Sequence, residues 1–367
     1  MKVMFDGYYG YQNSGDDAFV EVSSWGANTY WKSSKNLFIG KNLPETLSSY
    51  SGIETKIKGM DRAHTLVNSL KVDYFISSGG STFNNYNALS NRSFAIRAGV
   101  FNKKLKLGAI GVSLGPFKNT ISEKKVTAYL KDLDFLALRD TRSFDIASSL
   151  NLPYTPIKAF DLAALLPKIY ETKILHKVDY KKTIAVSICN YESYVGGDLN
   201  KERLRNDFFK KLLTLLSQNP NIHFKIFIIN GHKVMGDIKA SLQLISNIHK
   251  SKVTIIPYLQ NVKKTWDQIA NCDFVLSTRL HASIFGCYAN VPFMLLEYHK
   301  KCSDFLKDVG QSNKYRLYDG DVDVKNINNT IQNILFGHEK YHKPTQLGAT
   351  IEMAQKNFTE TIKLHSL

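Results

Sequence analysis

Residues 273–296 read DFVLSTRLHASIFGCYANVPFMLL. Asp273–Ser277 and Pro292–Leu295 are short apolar runs that do not alternate with polar residues, and a helical run to Tyr288 lies between them. Strands covered on both faces lose their alternation, which is the habit of parallel sheets flanked by helices, so this stretch reads as a βαβ unit. The same rhythm extends outward. Strands are predicted at Lys2–Phe5, Val72–Ser77, Lys106–Val112, Asp134–Leu138, Thr183–Ile188, Phe224–Ile229 and Lys252–Ile256. Helices are predicted at Asp17–Thr29, Ser90–Phe101, Ser122–Lys131, Arg142–Leu150, Lys201–Ser217, Lys233–Lys250 and Val262–Ala270. Strand and helix take turns, so the class is α/β with mainly parallel sheets.

At 367 residues the chain is too long for one small domain and suits two, and 43% hydrophobic residues can fill two cores. The segment Lys168–Lys182 is polar and lysine-rich. It separates an N-terminal Rossmann-like domain, 1–167, from a C-terminal one, 168–344. In the tail, 345–367, Ile351, Ala354, Phe358 and Ile362 form a helical stripe that can dock back on the N-terminal domain.

The net charge of +16 is spread as lysine pairs with no block of five basic residues. A nucleic-acid partner is therefore not expected, whereas anionic substrates, or peripheral contact with the inner face of the cell membrane, would use such charge. The apolar start MKVMF is too short for a signal segment, so a cytoplasmic location is expected. The four cysteines have no metal-site or disulfide spacing and read as buried thiols.

In open parallel sheets ligands gather beyond the carboxyl ends of strands. One such end is the loop Gly7–Ala18, whose Tyr8, Tyr9 and Tyr11 offer flat faces for sugars and whose Asp16 or Asp17 can cap the next helix. Ser77–Asn85 and Gly111–Pro116 are small-residue ends that leave amides open to an anion or a hydroxyl, or that serve packing alone. Ser277–Ser283 places Arg279 and His281 at a strand-to-helix junction: a rigid fork for carboxylate or phosphate beside a proton carrier. Arg139 ends another strand, and Glu297–Lys301 follows the strand at Pro292.

These pieces, in order, resemble the polysaccharide pyruvyl transferases over most of the chain. They are Gly10–Ala18 with its Asn-x-Gly-Asp core, Gly79-Gly80, Gly111–Pro116, Arg139-Asp140 with Ser143, Phe160–Ala163, and Arg279–Ala282 running through Val291–Phe293 to Tyr298 and Lys301. The resemblance implies a GT-B-like pair of domains with the active site in the interdomain cleft. It implies transfer of the enolpyruvyl group of phosphoenolpyruvate to a sugar diol, closed as a cyclic ketal with loss of phosphate. Phosphoenolpyruvate is then a co-substrate, with no cofactor or metal, and the acceptor is a polysaccharide or a lipid-linked or nucleotide-linked precursor. The catalytic pair would be Arg279 and His281, with Arg139, Lys301, Ser277 and Thr278 completing the donor side. Acceptor contacts would fall on Tyr8, Tyr9, Tyr11, Asn13, Asp16, Gly79, Gly80 and Asn85, although Asn84-Asn85 stands where relatives often carry an acidic residue. A GT-B-like glycosyltransferase using a nucleotide sugar and a non-catalytic carbohydrate-binding protein are the competing readings.

Overall fold

The computed structural model describes residues 1–54, 60–84, 90–171, 180–318 and 323–362. The chain forms two compact units, one of Met1–Tyr11, Asp16–Ile169 and Gly348–Leu367, the other of Gln12–Gly15 and Tyr170–Leu347. The chain thus changes unit after Ile169, and four residues inside the first predicted domain belong with the second unit. The reason is backbone pairing. Ser14 N–H donates to the Ile229 carbonyl (3.0 Å), Gly231 N–H donates to that of Gln12 (2.8 Å), and Asn13 bridges Asn230 in antiparallel fashion.

Among the described residues unit 1 carries seven parallel strands: β1 (Lys2–Asp6), β2 (Lys35–Ile39), β3 (Ser51–Ile53), β4 (Tyr74–Phe83), β5 (Lys106–Leu114), β6 (Phe135–Leu138) and β7 (Ile157–Lys158), in the order β3-β2-β1-β4-β5-β6-β7. The described residues of unit 2 carry six: β8 (Lys182–Ser187), β9 (Ile222–Phe227), β10 (Val253–Ile256), β11 (Phe274–Ser277), β12 (Phe293–Glu297) and β13 (Arg316–Tyr318), ordered β10-β9-β8-β11-β12-β13. All the pairings are parallel. Both orders are doubly wound: the chain leaves its first strand toward one edge and returns to the other side of it, opening a crevice at β1/β4 in unit 1 and at β8/β11 in unit 2. Both faces of each sheet are apolar and buried, as the neighbours Phe75 and Ile76 in unit 1 and Val275 and Leu276 in unit 2 show, which unalternating strands require.

Three expectations need correction. Gly79-Gly80 does not lie beyond the end of the strand expected over Val72–Ser77, because β4 runs through it to Phe83; at Gly79 (φ +74°) a side chain would overlap the Phe19 ring of helix Ser14–Tyr30, so only glycine lets that helix press on the strand. Likewise β5 continues through Gly111 to Leu114. The helix expected over Lys233–Lys250 shrinks to Ile238–Leu244.

The tail helix Leu347–Thr359 packs on unit 1 with Ala354 and Phe358 fully buried. Trp31 Nε1 donates to the Phe358 carbonyl (2.8 Å), and the two rings lie 5.2 Å apart. Asn357 ties in two more segments: its Oδ1 accepts the Gly111 N–H (2.7 Å) and its Nδ2 donates to the Phe160 carbonyl (2.9 Å). Phe358→Ala should therefore destabilise the protein by about 3–5 kcal/mol. Urea denaturation checks this; an unchanged midpoint would mean that the helix does not contribute to unit 1.

Candidate functional site

The crevice of unit 2 lies where β8 and β11 end. Thr278 stitches the two ends together: its N–H donates to the Ser187 carbonyl (2.9 Å) and its Oγ1 accepts the Cys189 N–H (2.8 Å). Ser277 is buried, its hydroxyl shared with Ser283 (2.7 Å) and donating to the Arg279 carbonyl (3.0 Å). These two side chains hold the turn that presents Arg279 and His281.

Arg279 occupies the N-cap position of helix Leu280–Tyr288, where no side chain caps the helix. Its Nε donates to both carboxylate oxygens of Asp237 (3.0 Å each), and Nη2 adds a further bond to Oδ1. Asp237 is fully buried, whereas the Arg279 side chain keeps 17% of its surface. Burial pushes the Asp237 carboxyl up, and the guanidinium and the Asn230 N–H pull it back. The Tyr194 ring lies 5.7 Å from the guanidinium carbon, and burial raises that phenol to about 12, so it faces Arg279 uncharged. A guanidinium fixed on one edge and still partly exposed at a helix start suits an anion.

His281 is in the first turn of the same helix, with its ring 6.5 Å from that of Phe285. Its imidazole rests on Gly15, where any side chain would overlap Nδ1 and Cγ. Gly15 is in turn fixed by its N–H donating to Asn13 Oδ1 (3.1 Å). The Asn-x-Gly-Asp loop is thus the seat of the histidine. Helix Ser14–Tyr30 starts three residues before the expected Asp17, which puts Asp16 and Asp17 inside its first turn rather than at the cap. There they favour the positive end of the helix dipole.

Lys301 lies in the first turn of helix Lys300–Asp308, whose N-cap is the ring of His299, which accepts the Lys301 N–H (3.2 Å). The Lys301 ammonium sits 5.8 Å from the ring of Tyr191 and 5.9 Å from that of Tyr298.

In unit 1, Tyr8 and Tyr11 are 62% and 59% exposed with ring centroids 6.2 Å apart. Tyr9 departs from its predicted role as a sugar contact: it is buried, and its hydroxyl donates to the Ser78 carbonyl (2.8 Å), so it supports β4. Arg139 departs too. It is 6% exposed, and its guanidinium is directed at Asp161 (3.2 Å), Ser113 Oγ (2.6 Å) and Ser81 Oγ (2.9 Å), which meets its charge within the protein. Gly79 and Gly80 lie within β4, and Asn85 lies outside the described residues.

Sequence reasoning missed Asp237, Tyr194 and, in unit 1, Arg92. Arg92 reaches the end of β1 through Asp6 (3.4 Å) and the middle of β4 through Ser77 Oγ (2.9 Å). The sequence hid Asp237 inside the helix expected over Lys233–Lys250; only in the structure does it stand directly before helix Ile238–Leu244, the position an N-cap takes. It caps nothing, because its oxygens serve Arg279 and Asn230. A local rule broken in this way is itself a mark of a site.

The family model for polysaccharide pyruvyl transferases matches residues 13–300. No curated protein matches the chain in sequence. Among solved structures, the chain is similar to the UDP-GlcNAc 2-epimerase of Neisseria meningitidis bound to UDP-GlcNAc (13% identity, TM-score 0.62, covering 98% of this chain and 100% of that one). It is also similar to the UDP-GlcNAc 2-epimerase of Methanocaldococcus jannaschii (13%, 0.60, 97% and 98%) and to a glycosyltransferase of Rickettsia africae (10%, 0.53, 98% and 93%). At such identities the likeness is one of fold, the two Rossmann-like domains of the GT-B kind.

Proposed function

The chain belongs to the polysaccharide pyruvyl transferase family, and from that premise we propose that it transfers the enolpyruvyl group of phosphoenolpyruvate to two hydroxyls of one sugar, leaving a cyclic pyruvate ketal and inorganic phosphate. The observation that carries this reading is the pairing in unit 2 of an Asp237-oriented guanidinium with a glycine-seated imidazole, two residues apart at one uncapped helix start. The donor is a doubly anionic enol ester. Arg279 takes one of its charged groups, with Lys301 as a second cation and Ser277 and Thr278 as the frame. His281 protonates C3, the electron-poor C2 accepts the first sugar hydroxyl, the C2–O bond to phosphate then breaks, and the second hydroxyl closes the ring. Of the two hydroxyl protons given up, one replaces the proton spent on C3 and the other leaves with phosphate.

The acceptor is a sugar of a polysaccharide or of its precursor. Tyr8 and Tyr11, exposed beyond β1, supply stacking faces for it. Replacing either by alanine should raise the acceptor KM roughly 2- to 10-fold and leave the KM for phosphoenolpyruvate unchanged, as read from steady-state kinetics.

The test of the reaction is phosphate release from phosphoenolpyruvate, measured with and without candidate glycans, followed by mass spectrometry of the glycan for the pyruvyl increment. Phosphate released only with acceptor supports the proposal. Nucleotide released from a sugar nucleotide would instead make the protein a glycosyltransferase.

A further inference from the structure

Helices Asp61–Ser69 and Asn91–Phe101 of unit 1 both end at the edge of the sheet from which its strands start. The Asn102 amide joins the two ends by donating to the carbonyls of Leu70 (3.5 Å) and Val72 (3.2 Å). On this continuous surface Leu70, Val100 and Phe101 are 40%, 61% and 79% exposed. The exposed side chains of Lys71, Lys103 and Lys104 adjoin them in sequence. The strand starts extend the charge, since β1 and β2 pair Lys2 with Lys35. Of the acidic groups along this edge, Asp73 accepts the Lys2 N–H (2.7 Å) and Asp134 holds Lys106 (2.9 Å).

Apolar side chains standing out of water-facing helix ends, ringed by lysines, match the chemistry of a lipid headgroup layer: hydrocarbon below, phosphate above. A second copy of the same face would set lysine against lysine, and a nucleic-acid duplex offers phosphates but no apolar layer to cover Leu70 and Val100. We propose that this face of unit 1 docks on an anionic lipid surface, with Val100 and Phe101 entering the headgroup region and the lysines over the phosphates. The carboxyl edge of the sheet, with Tyr8 and Tyr11, is then turned away from the lipid. The proposal is independent of the donor chemistry, so either can fail alone.

The test sediments the full chain with vesicles of phosphatidylcholine alone and of phosphatidylcholine with phosphatidylglycerol. Binding is expected only to the anionic vesicles and should be released near 1 M salt, where screening acts within about 3 Å. Each lysine at such a surface is worth about fivefold in partition, so Lys103→Ala/Lys104→Ala should weaken binding roughly 25-fold. Phe101→Ser should weaken it roughly tenfold by removing an inserted ring. Lys124→Ala/Lys125→Ala, an exposed pair on helix Thr120–Lys131, should leave binding unchanged, and all variants should melt as the parent does. The proposal is overturned if the parent ignores anionic vesicles or if the control pair loses binding equally. It is also overturned if the patch variants alter oligomeric state or retention of duplex DNA instead of vesicle binding.

Discussion

His281→Ala is expected to lower acceptor-dependent phosphate release by about 10²- to 10⁴-fold, the usual contribution of a positioned acid, with the melting temperature close to that of the parent. His281 is half-buried, with Nε2 away from solvent, and its ring lies against Gly15 and the Phe285 ring, so its removal opens a small space at a helix start rather than a hole in the core of unit 2. Gly15→Ala makes a companion test. It retains the imidazole but puts a methyl where the ring rests, so turnover should fall in the same direction without loss of the proton carrier. If His281→Ala turns over normally, the acid is some other group; if Gly15→Ala alone is silent, the seat is not what aligns it.

The second large effect is one of stability. Asp237→Ala removes the only residue shown in ion pairing with Arg279 among the described residues, and it leaves a guanidinium with 17% side-chain exposure facing the space of a fully buried carboxylate. Breaking such a pair from one side costs about 3–5 kcal/mol, more than the pair itself is worth, because the stranded charge stays poorly solvated. Urea denaturation should show the loss. Asp237→Asn, which keeps the shape and can still accept the Asn230 N–H, should recover part of the stability but not the orientation of Arg279. For that variant we expect a raised KM for phosphoenolpyruvate with the acceptor KM unchanged. An Asp237→Ala protein as stable as its parent would mean that the ion pair does not hold Arg279 in solution.

The sequence made the α/β class plain because buried parallel strands such as Phe274–Ser277 and Phe293–Glu297 lack polar alternation and take turns with helical stretches. Short edge strands were invisible for the converse reason. Ser51–Ile53, Ile157–Lys158 and Arg316–Tyr318 are two or three residues long, too few to show a period. Gly79-Gly80 misled because glycine pairs signal turns locally, whereas here their want of side chains answers a helix packed on the strand.

At the site, Arg279 and His281 were legible as unusual residues at a strand-to-helix junction. Two features were not. That Gly15 carries the imidazole depends on a contact between residues 266 positions apart, and that Arg139 spends its charge on Asp161 depends on how two loops of unit 1 meet. Spacing along a chain shows which groups are available and leaves open which are already engaged. Tyr9 makes the same point, since it reads like its neighbours Tyr8 and Tyr11 until Ser78 is seen to hold its hydroxyl.

The tail helix sets a timetable for the growing polypeptide. The Trp31 indole and the Gly111 amide leave the ribosome early, yet the groups that satisfy them, the Phe358 carbonyl and Asn357 Oδ1, are synthesised more than two hundred residues later. The segments made first are consequently finished last, and a stop codon ahead of the tail helix would strike at them.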